Sequence, residues 1–192
     1  MSQVDFDTIR TELRDHLLAH SVKTGDFTLK SGAKSKWFID AKQTATRPDG
    51  MLLVAQAMLE SLPDDIDAIG GLTMGADPIA FVTAAVAATQ GRELVAFSVR
   101  KEDKGHGAGG RIAGALRPGH RVAITEDCVT RGTSPIEAAR VVRDFGAEPV
   151  MIVPVVDRGG SCGRLAKEEG IVFAPILTAP DLGFDYEGGL PA

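Results

Sequence analysis

One stretch limits the possible folds of this 192-residue chain more than any other: Val122-Ala123-Ile124-Thr125-Glu126-Asp127-Cys128-Val129-Thr130-Arg131-Gly132-Thr133-Ser134. An apolar run ends in two adjacent acids, and a short Thr/Gly/Ser loop follows. Val122, Ala123 and Ile124 read as a buried strand. Ser134-Pro135-Ile136-Glu137 reads as a helix start, with Ser134 as cap, Pro135 at the first helical position and Glu137 three residues after the cap. The helix runs from Ala138 to Phe145 and stops at Gly146. A strand, a tight small-residue loop and a helix N-terminus make an anion site, because free N–H groups and the helix dipole both favour negative charge. Acids touching a phosphate would repel it. Glu126 and Asp127 therefore either accept hydrogen bonds from hydroxyls beside the anion or hold a metal. A sugar phosphate satisfies both halves. A Walker A loop does not fit, because no Gly-Lys-Ser/Thr follows.

The rest of the chain reads as strands alternating with helices. Phe6, Ile9, Leu13 and Leu17 give an amphipathic first helix from Phe6 to Leu18. Phe27-Thr28-Leu29 and Trp37-Phe38-Ile39 flank a basic tip and predict a hairpin. Asp49-Gly50 opens a helix through Leu62, ended by Pro63. Ala68 to Gly71 is a strand end, and Asp77-Pro78 starts a helix through Thr89, closed by Gly91. Leu94 to Val99, Arg121 to Thr125, Val150 to Val156 and Ile171 to Ala174 read as strands, and Ser161 to Glu169 as a helix. Arg100 to Ala115, charged and glycine-rich, reads as a loop. The alternation predicts an α/β fold with a parallel sheet covered on both faces and its ligands at the C-terminal strand ends. The hairpin region, Val22 to Ala41, falls outside the alternation and is expected to form a small hood over the sheet.

Composition narrows the function classes. With 44% hydrophobic and 24% charged residues, the chain has the balance of a globular domain. Its formal net charge of −5 argues against general nucleic-acid binding. No long uncharged apolar run suggests a membrane span, and Met1 to Arg14 has no signal-peptide core. Cys128 and Cys162 form no zinc or disulfide pattern, so reduced thiols in a cytoplasmic protein are expected. Cys128 is expected to be a filler rather than a nucleophile.

Two further segments carry chemistry. Gly70-Gly71-Leu72-Thr73-Met74-Gly75-Ala76-Asp77-Pro78 joins a strand to a helix, lets a backbone approach a phosphate, and offers Asp77 as a cap. Val155-Val156-Asp157-Arg158-Gly159-Gly160 ends a strand at the same sheet edge. The Arg158 guanidinium can clasp a carboxylate through two parallel hydrogen bonds, or pair with Asp157 or a nearby acid. Trp37 reads as packing, and His16, His20 and His120 as surface or loop residues.

The stretch from Val122 to Ser134 resembles the phosphoribosyl-diphosphate signature of type I phosphoribosyltransferases. The spacing Arg100-Lys101-x-x-Lys104-x-His106-Gly107 and the hairpin Phe27 to Phe38 resemble orotate phosphoribosyltransferase in particular. The resemblance covers about Gly25 to Gly160 and implies a single phosphoribosyltransferase domain over 1–192, with the hood mainly from 1–45. It implies transfer of orotate onto phosphoribosyl diphosphate, releasing diphosphate, in pyrimidine biosynthesis. Glu126, Asp127 and Lys104 would be catalytic. Arg100, Lys101, Lys104 and His106 in a lid, the two acids, and Thr130, Arg131, Gly132, Thr133 and Ser134 would bind phosphoribosyl diphosphate. Lys30, Phe38, Thr130 and Arg158 would bind orotate. Mg²⁺ would be held mainly by substrate, with no dedicated protein metal site, and a homodimer would share the lid across subunits. Many relatives carry a lysine in the loop after Gly71; this chain has none, which shifts diphosphate binding to backbone N–H groups, a metal and the lid. The alternatives are transfer to another nucleobase and a non-catalytic phosphoribosyl-diphosphate sensor. The lid spacing and Arg158 weigh against the first, and the acidic chain against the second.

Overall fold

The computed structural model describes residues 5–28, 34–103 and 110–187. Helix α1 (Phe6–His20) is followed by β1 (Val22–Thr28) and β2 (Lys34–Ile39), then by a short α2 (Lys42–Ala45) and α3 (Pro48–Ser61). The sheet region follows as β3 (Ala68–Leu72), α4 (Asp77–Thr89), β4 (Val95–Val99), β5 (Ile112–Gly114), β6 (Arg121–Val129), α5 (Thr133–Asp144) and β7 (Glu148–Asp157). It closes with α6 (Cys162–Glu168), β8 (Val172–Phe173), β9 (Leu177–Thr178) and a 3₁₀ turn at Pro180–Leu182. Among the described residues, no helix is long and apolar enough to cross a membrane.

Seven strands form the main sheet in the order β5-β4-β3-β6-β7-β8, with β9 also on β7. All pairs are parallel except β4 with β5. Strand order reverses between β3 and β6, since the chain first builds outward to β4 and then returns to the other side of β3. Such a switch point leaves a crevice at the C-terminal strand ends, where ligands of open α/β sheets bind.

Period-two alternation explains why helices cover both faces. Ala123 and Val153 join a core with Ile9, Leu13 and Leu17 of α1, Val54 and Met58 of α3 and Ile79 of α4. Val122, Ile124 and Ile152 face the other way, toward Ile136, Ala139 and Val142 of α5 and Ala166 of α6. Leu13 and Leu17 are fully buried. Each contributes about 1.5–3 kcal/mol by leaving water.

β1 and β2 pair antiparallel in a separate two-stranded sheet with a register shift between Thr24 and Phe27. The burial pattern of β2 alternates strictly, with Ser35, Trp37 and Ile39 inward and Lys34, Lys36 and Phe38 outward.

Four expectations need correction. The helix after the acids begins at Thr133, with Gly132 rather than Ser134 as its cap residue. Gly132 takes a left-handed φ of 75°, which glycine adopts without strain and which turns the chain into the helix two residues early. Asp77 is the first residue of α4, not its cap, and no side chain caps that helix. Residues 112–114 form edge strand β5 within the expected loop, too short to show any periodicity. β6 runs four residues beyond Thr125, through both acids, because β7 continues to supply backbone partners there.

Candidate active site

β6 loses one neighbour before it loses the other. Its pairing with β3 ends at Ile124, opposite Gly70, whereas its pairing with β7 continues through Val129, opposite Asp157. Glu126 and Asp127 therefore sit on a strand that is backed on one side and open on the other. Both are buried, at 7% and 8% exposure. Burial, and then the negative charge of Asp127, push the Glu126 carboxyl up to about 8, although Lys42 opposes the shift. Glu126 is thus the more readily protonated acid of the pair, and Asp127, held by Lys42, carries the negative charge.

The loop after β3 fills the open side. A Cβ on Gly75 would overlap the Glu126 carboxylate and lie 2.6 Å from Asp127 Oδ1, so only glycine lets this backbone rest on both acids. Asp77 secures the loop by accepting hydrogen bonds from Thr73 Oγ1 at 2.6 Å and Ser98 Oγ at 2.7 Å. The Thr73–Met74 peptide is cis. On the far side, the loop after β6 enters α5 without any side-chain cap. The first N–H groups of that helix have no intrahelical acceptor and face the loop. A Cβ on Gly132 would lie 2.6 Å from Cys162 Cα, and Ser161 Oγ donates to the Arg131 carbonyl at 2.9 Å, so α6 holds the loop in place. Two anion-capable loops thus flank one pair of acids.

Arg158 lies one residue past β7, where its N–H donates to the Val129 carbonyl at 2.8 Å. Its side chain is buried at 7% exposure. The guanidinium stacks on the Trp37 ring, 4.4 Å from its centroid, donates to the Trp37 carbonyl at 3.4 Å and pairs with Glu187. Nε has no partner among the described residues. A buried donor without an acceptor costs free energy, so this edge of the guanidinium is suited to an incoming acceptor. Trp37 in turn stacks on Phe184, with ring centroids 4.5 Å apart.

The structure thus gathers Glu126, Asp127, Thr130, Arg131, Gly132, Thr133, Ser134 and Arg158 at adjacent strand ends. Phe38 is not brought against Arg158. It occupies the outward face of β2, where its ring lies 5.7 Å from that of Phe27. Arg100 begins the segment expected as a lid, just after β4, and its N–H donates to the Arg111 carbonyl at 2.7 Å. The Gly110 N–H donates to Asp103 at 2.7 Å, so the chain on either side of residues 104–109 is tied together. Lys101 is exposed on the first side. Lys30, Lys104 and His106 lie outside the described residues. Burial pushes both thiols up, that of Cys162 to about 12, which removes them as nucleophiles at neutral pH.

Two site residues have no sequence signal. Lys42 reaches across 85 positions to place Nζ 2.6 Å from Asp127 Oδ2. Glu187 pairs with Arg158 and meets the Ser35 hydroxyl. Neither belongs to a motif. Trp37, assigned to packing, is indeed buried, and it also lines the Arg158 pocket.

No family model matches the chain. Curated relatives do. The orotate phosphoribosyltransferase of Aquifex aeolicus is 40% identical over 177 residues, covering 90% of this chain and 97% of that protein. The orotate phosphoribosyltransferase of a Synechocystis species is 38% identical over 169 residues, covering 87% and 85%. Among solved structures, Mycobacterium tuberculosis orotate phosphoribosyltransferase with 5-phospho-α-D-ribosyl 1-diphosphate superposes with a TM-score of 0.77 at 32% identity, covering 91% of this chain and 99% of that one. Adenine phosphoribosyltransferase from Trypanosoma brucei, at 13% identity and a TM-score of 0.61, shares the fold alone.

Proposed function

The chain belongs to the orotate phosphoribosyltransferase family, and on that premise we propose how its residues divide the family's work. The reaction joins orotate to phosphoribosyl diphosphate, giving orotidine 5′-monophosphate and diphosphate, a step of pyrimidine biosynthesis. A ring nitrogen of orotate bonds to the anomeric carbon. The bond from that carbon to the diphosphate oxygen breaks, and its electron pair leaves with the diphosphate. The ring nitrogen is already acidic, so stabilising the leaving group matters more than a strong base.

The observation that carries the assignment of roles is the pair of buried acids lying between two anion-capable loops at the switch point. Glu126 and Asp127 hold the ribose hydroxyls, and the Asp127 carboxylate favours the positive charge that develops on the sugar ring. The loop Thr130 to Ser134 and the start of α5 hold the 5′-phosphate, a remote anchor whose binding energy is available to the reacting centre. The Gly75 loop holds the diphosphate. Arg158 reads the orotate carboxylate through its free edge, with Trp37 shaping the pocket. Lys30 bounds the base from the hairpin, whereas Phe38, on the outward face of β2, does not. Arg100, Lys101, Lys104 and His106 form a lid that excludes water over the diphosphate, shared between the two subunits of a homodimer. The hood over the sheet is the part from 1–45 within one domain.

The acids suit a metal carried in by substrate better than a resident ion. Lys42 already occupies one oxygen of Asp127. Mg²⁺ bound to the diphosphate would neutralise charge on the leaving group.

The test follows orotate absorbance in the presence of phosphoribosyl diphosphate and Mg²⁺, with wild type and Asp127→Asn. Loss of orotate that requires the second substrate and falls sharply in the variant is expected. Undiminished turnover by Asp127→Asn would remove the acids from the site.

A further inference from the structure

The loop that receives the diphosphate reads Thr73-Met74-Gly75-Ala76 and contains no cation. It also rests so close to two acids that a Cβ at Gly75 would meet both carboxyl groups. Backbone N–H groups can orient a diphosphate here, but the nearest full charges are negative. A multiply charged anion so close to carboxylates is repelled unless a cation stands between them.

Lys42 is such a cation. It is the first residue of α2, which follows the hood hairpin directly. Nζ lies 2.6 Å from Asp127 Oδ2 and 3.7 Å from Asp40 Oδ1. The position of a Gly75 Cβ lies 2.6 Å from the other oxygen of the same Asp127 carboxylate. The ammonium and the loop are therefore separated by the width of one carboxylate group. An ammonium has three donors, and Asp127 takes one of them at short range. The Lys42 side chain keeps 41% of its surface exposed, against 11% for Asp127, so solvent or ligand can reach the remaining donors.

We propose that Lys42 binds the diphosphate directly, supplied by the hood in place of a lysine in the loop. The proposal rests on the reading of the acids and loops as the phosphoribosyl-diphosphate site. It corrects the expectation that only backbone groups, a metal and the lid share this charge. Burial alone would pull the Lys42 pKa down, but the hydrogen bond and the charge of Asp127 outweigh it and hold the pKa above the ordinary lysine value. The group is therefore charged at neutral pH. Its position also gives the hood a part in the chemistry, because α2 directly follows the hairpin.

A purely structural Lys42 would neutralise the acids and affect every ligand that uses them. Ribose 5-phosphate and inorganic pyrophosphate separate the two roles, since the first meets the acids without a diphosphate. Binding of each, with Mg²⁺, is measured calorimetrically on wild type, Lys42→Met and Lys42→Arg, with thermal unfolding of each variant as the fold control. The expected result for Lys42→Met is pyrophosphate binding weakened by about tenfold or more, or at least 1.4 kcal/mol, with ribose 5-phosphate unchanged. The KM for phosphoribosyl diphosphate should rise without that for orotate, and Lys42→Arg should restore most of the loss. Equal weakening of both ligands, or of neither, overturns the proposal while leaving the site in place. Failure of the wild type to bind either ligand would overturn the site itself.

Discussion

Arg158 and Glu187 form an ion pair in which both side chains are largely buried. The Glu187 N–H also donates to the Arg158 carbonyl at 2.7 Å, so main chain and side chain are both engaged. The arginine that would receive a substrate carboxylate thus already holds one from the protein itself.

Arg158→Ala should raise the KM for orotate on the order of 10- to 100-fold, the loss expected when a charge-assisted hydrogen bond of about 1.5–3 kcal/mol disappears. The KM for phosphoribosyl diphosphate should change little. Equal losses for both substrates would count against a carboxylate-reading role. Glu187→Gln should lower the KM for orotate, because the competing charge is gone. A rise would make Glu187 a support for the arginine instead.

Gly75→Ala should leave the fold intact and weaken phosphoribosyl diphosphate. The new Cβ would meet the Glu126 carboxylate and Asp127 Oδ1, so the loop must back away from the acids. Overpacking of this kind costs about 1–3 kcal/mol, felt here as an increase of about tenfold or more in KM for that substrate. Steady-state kinetics with orotate saturating would check it, and wild-type values would show that the loop does not rest on the acids in the working enzyme.

The Glu126 carboxyl, raised from 4.5 to about 8, makes stability depend on pH with a definite sign. The folded state binds this proton more tightly than the unfolded state. Its contribution is fully present below about pH 4.5, declines as pH rises, and is exhausted above about pH 8, with a slope of at most about 1.4 kcal/mol per unit. Asp49 and Glu169, both lowered, act in the opposite direction at acid pH. Denaturant unfolding of Glu126→Gln against wild type isolates the effect. The variant should gain relative stability from pH 5 to pH 8, and parallel curves would place the proton elsewhere.

Lys104→Ala should lower kcat on the order of 100-fold, as for loss of one donor to a developing anion. In verified heterodimers of Lys104→Ala and Asp127→Ala chains, a lid acting across subunits should rebuild one working site. Absence of any recovered activity would confine the lid to its own subunit.

The parts of the site legible in the sequence are those built by consecutive residues. Strand, acids, loop and helix from Val122 to Ser134 fold locally, so their pattern and their chemistry coincide. The end of β6 was not legible, because hydrophobicity stops at Ile124 while pairing with β7 continues through Val129. The helix cap moved to Gly132 because its left-handed φ outweighed a favourable Ser-Pro-x-Glu pattern. Lys42 and Glu187 enter through contacts spanning 85 and 152 positions, to Asp127 and Ser35 respectively, and no spacing rule reaches that far. Trp37 was legible as core but not as pocket wall, since burial alone does not say which face of a ring remains available.

The unequal backing of β6 has a mechanical consequence. Beyond Ile124 the strand is fixed to β7 along one flank and met on the other by the loop around Gly75, with Lys42 on Asp127. The two acids on β6 and Arg158 past the end of β7 thus share one continuous ladder, so the proposed seats for the sugar phosphate and the base have a common rigid backing.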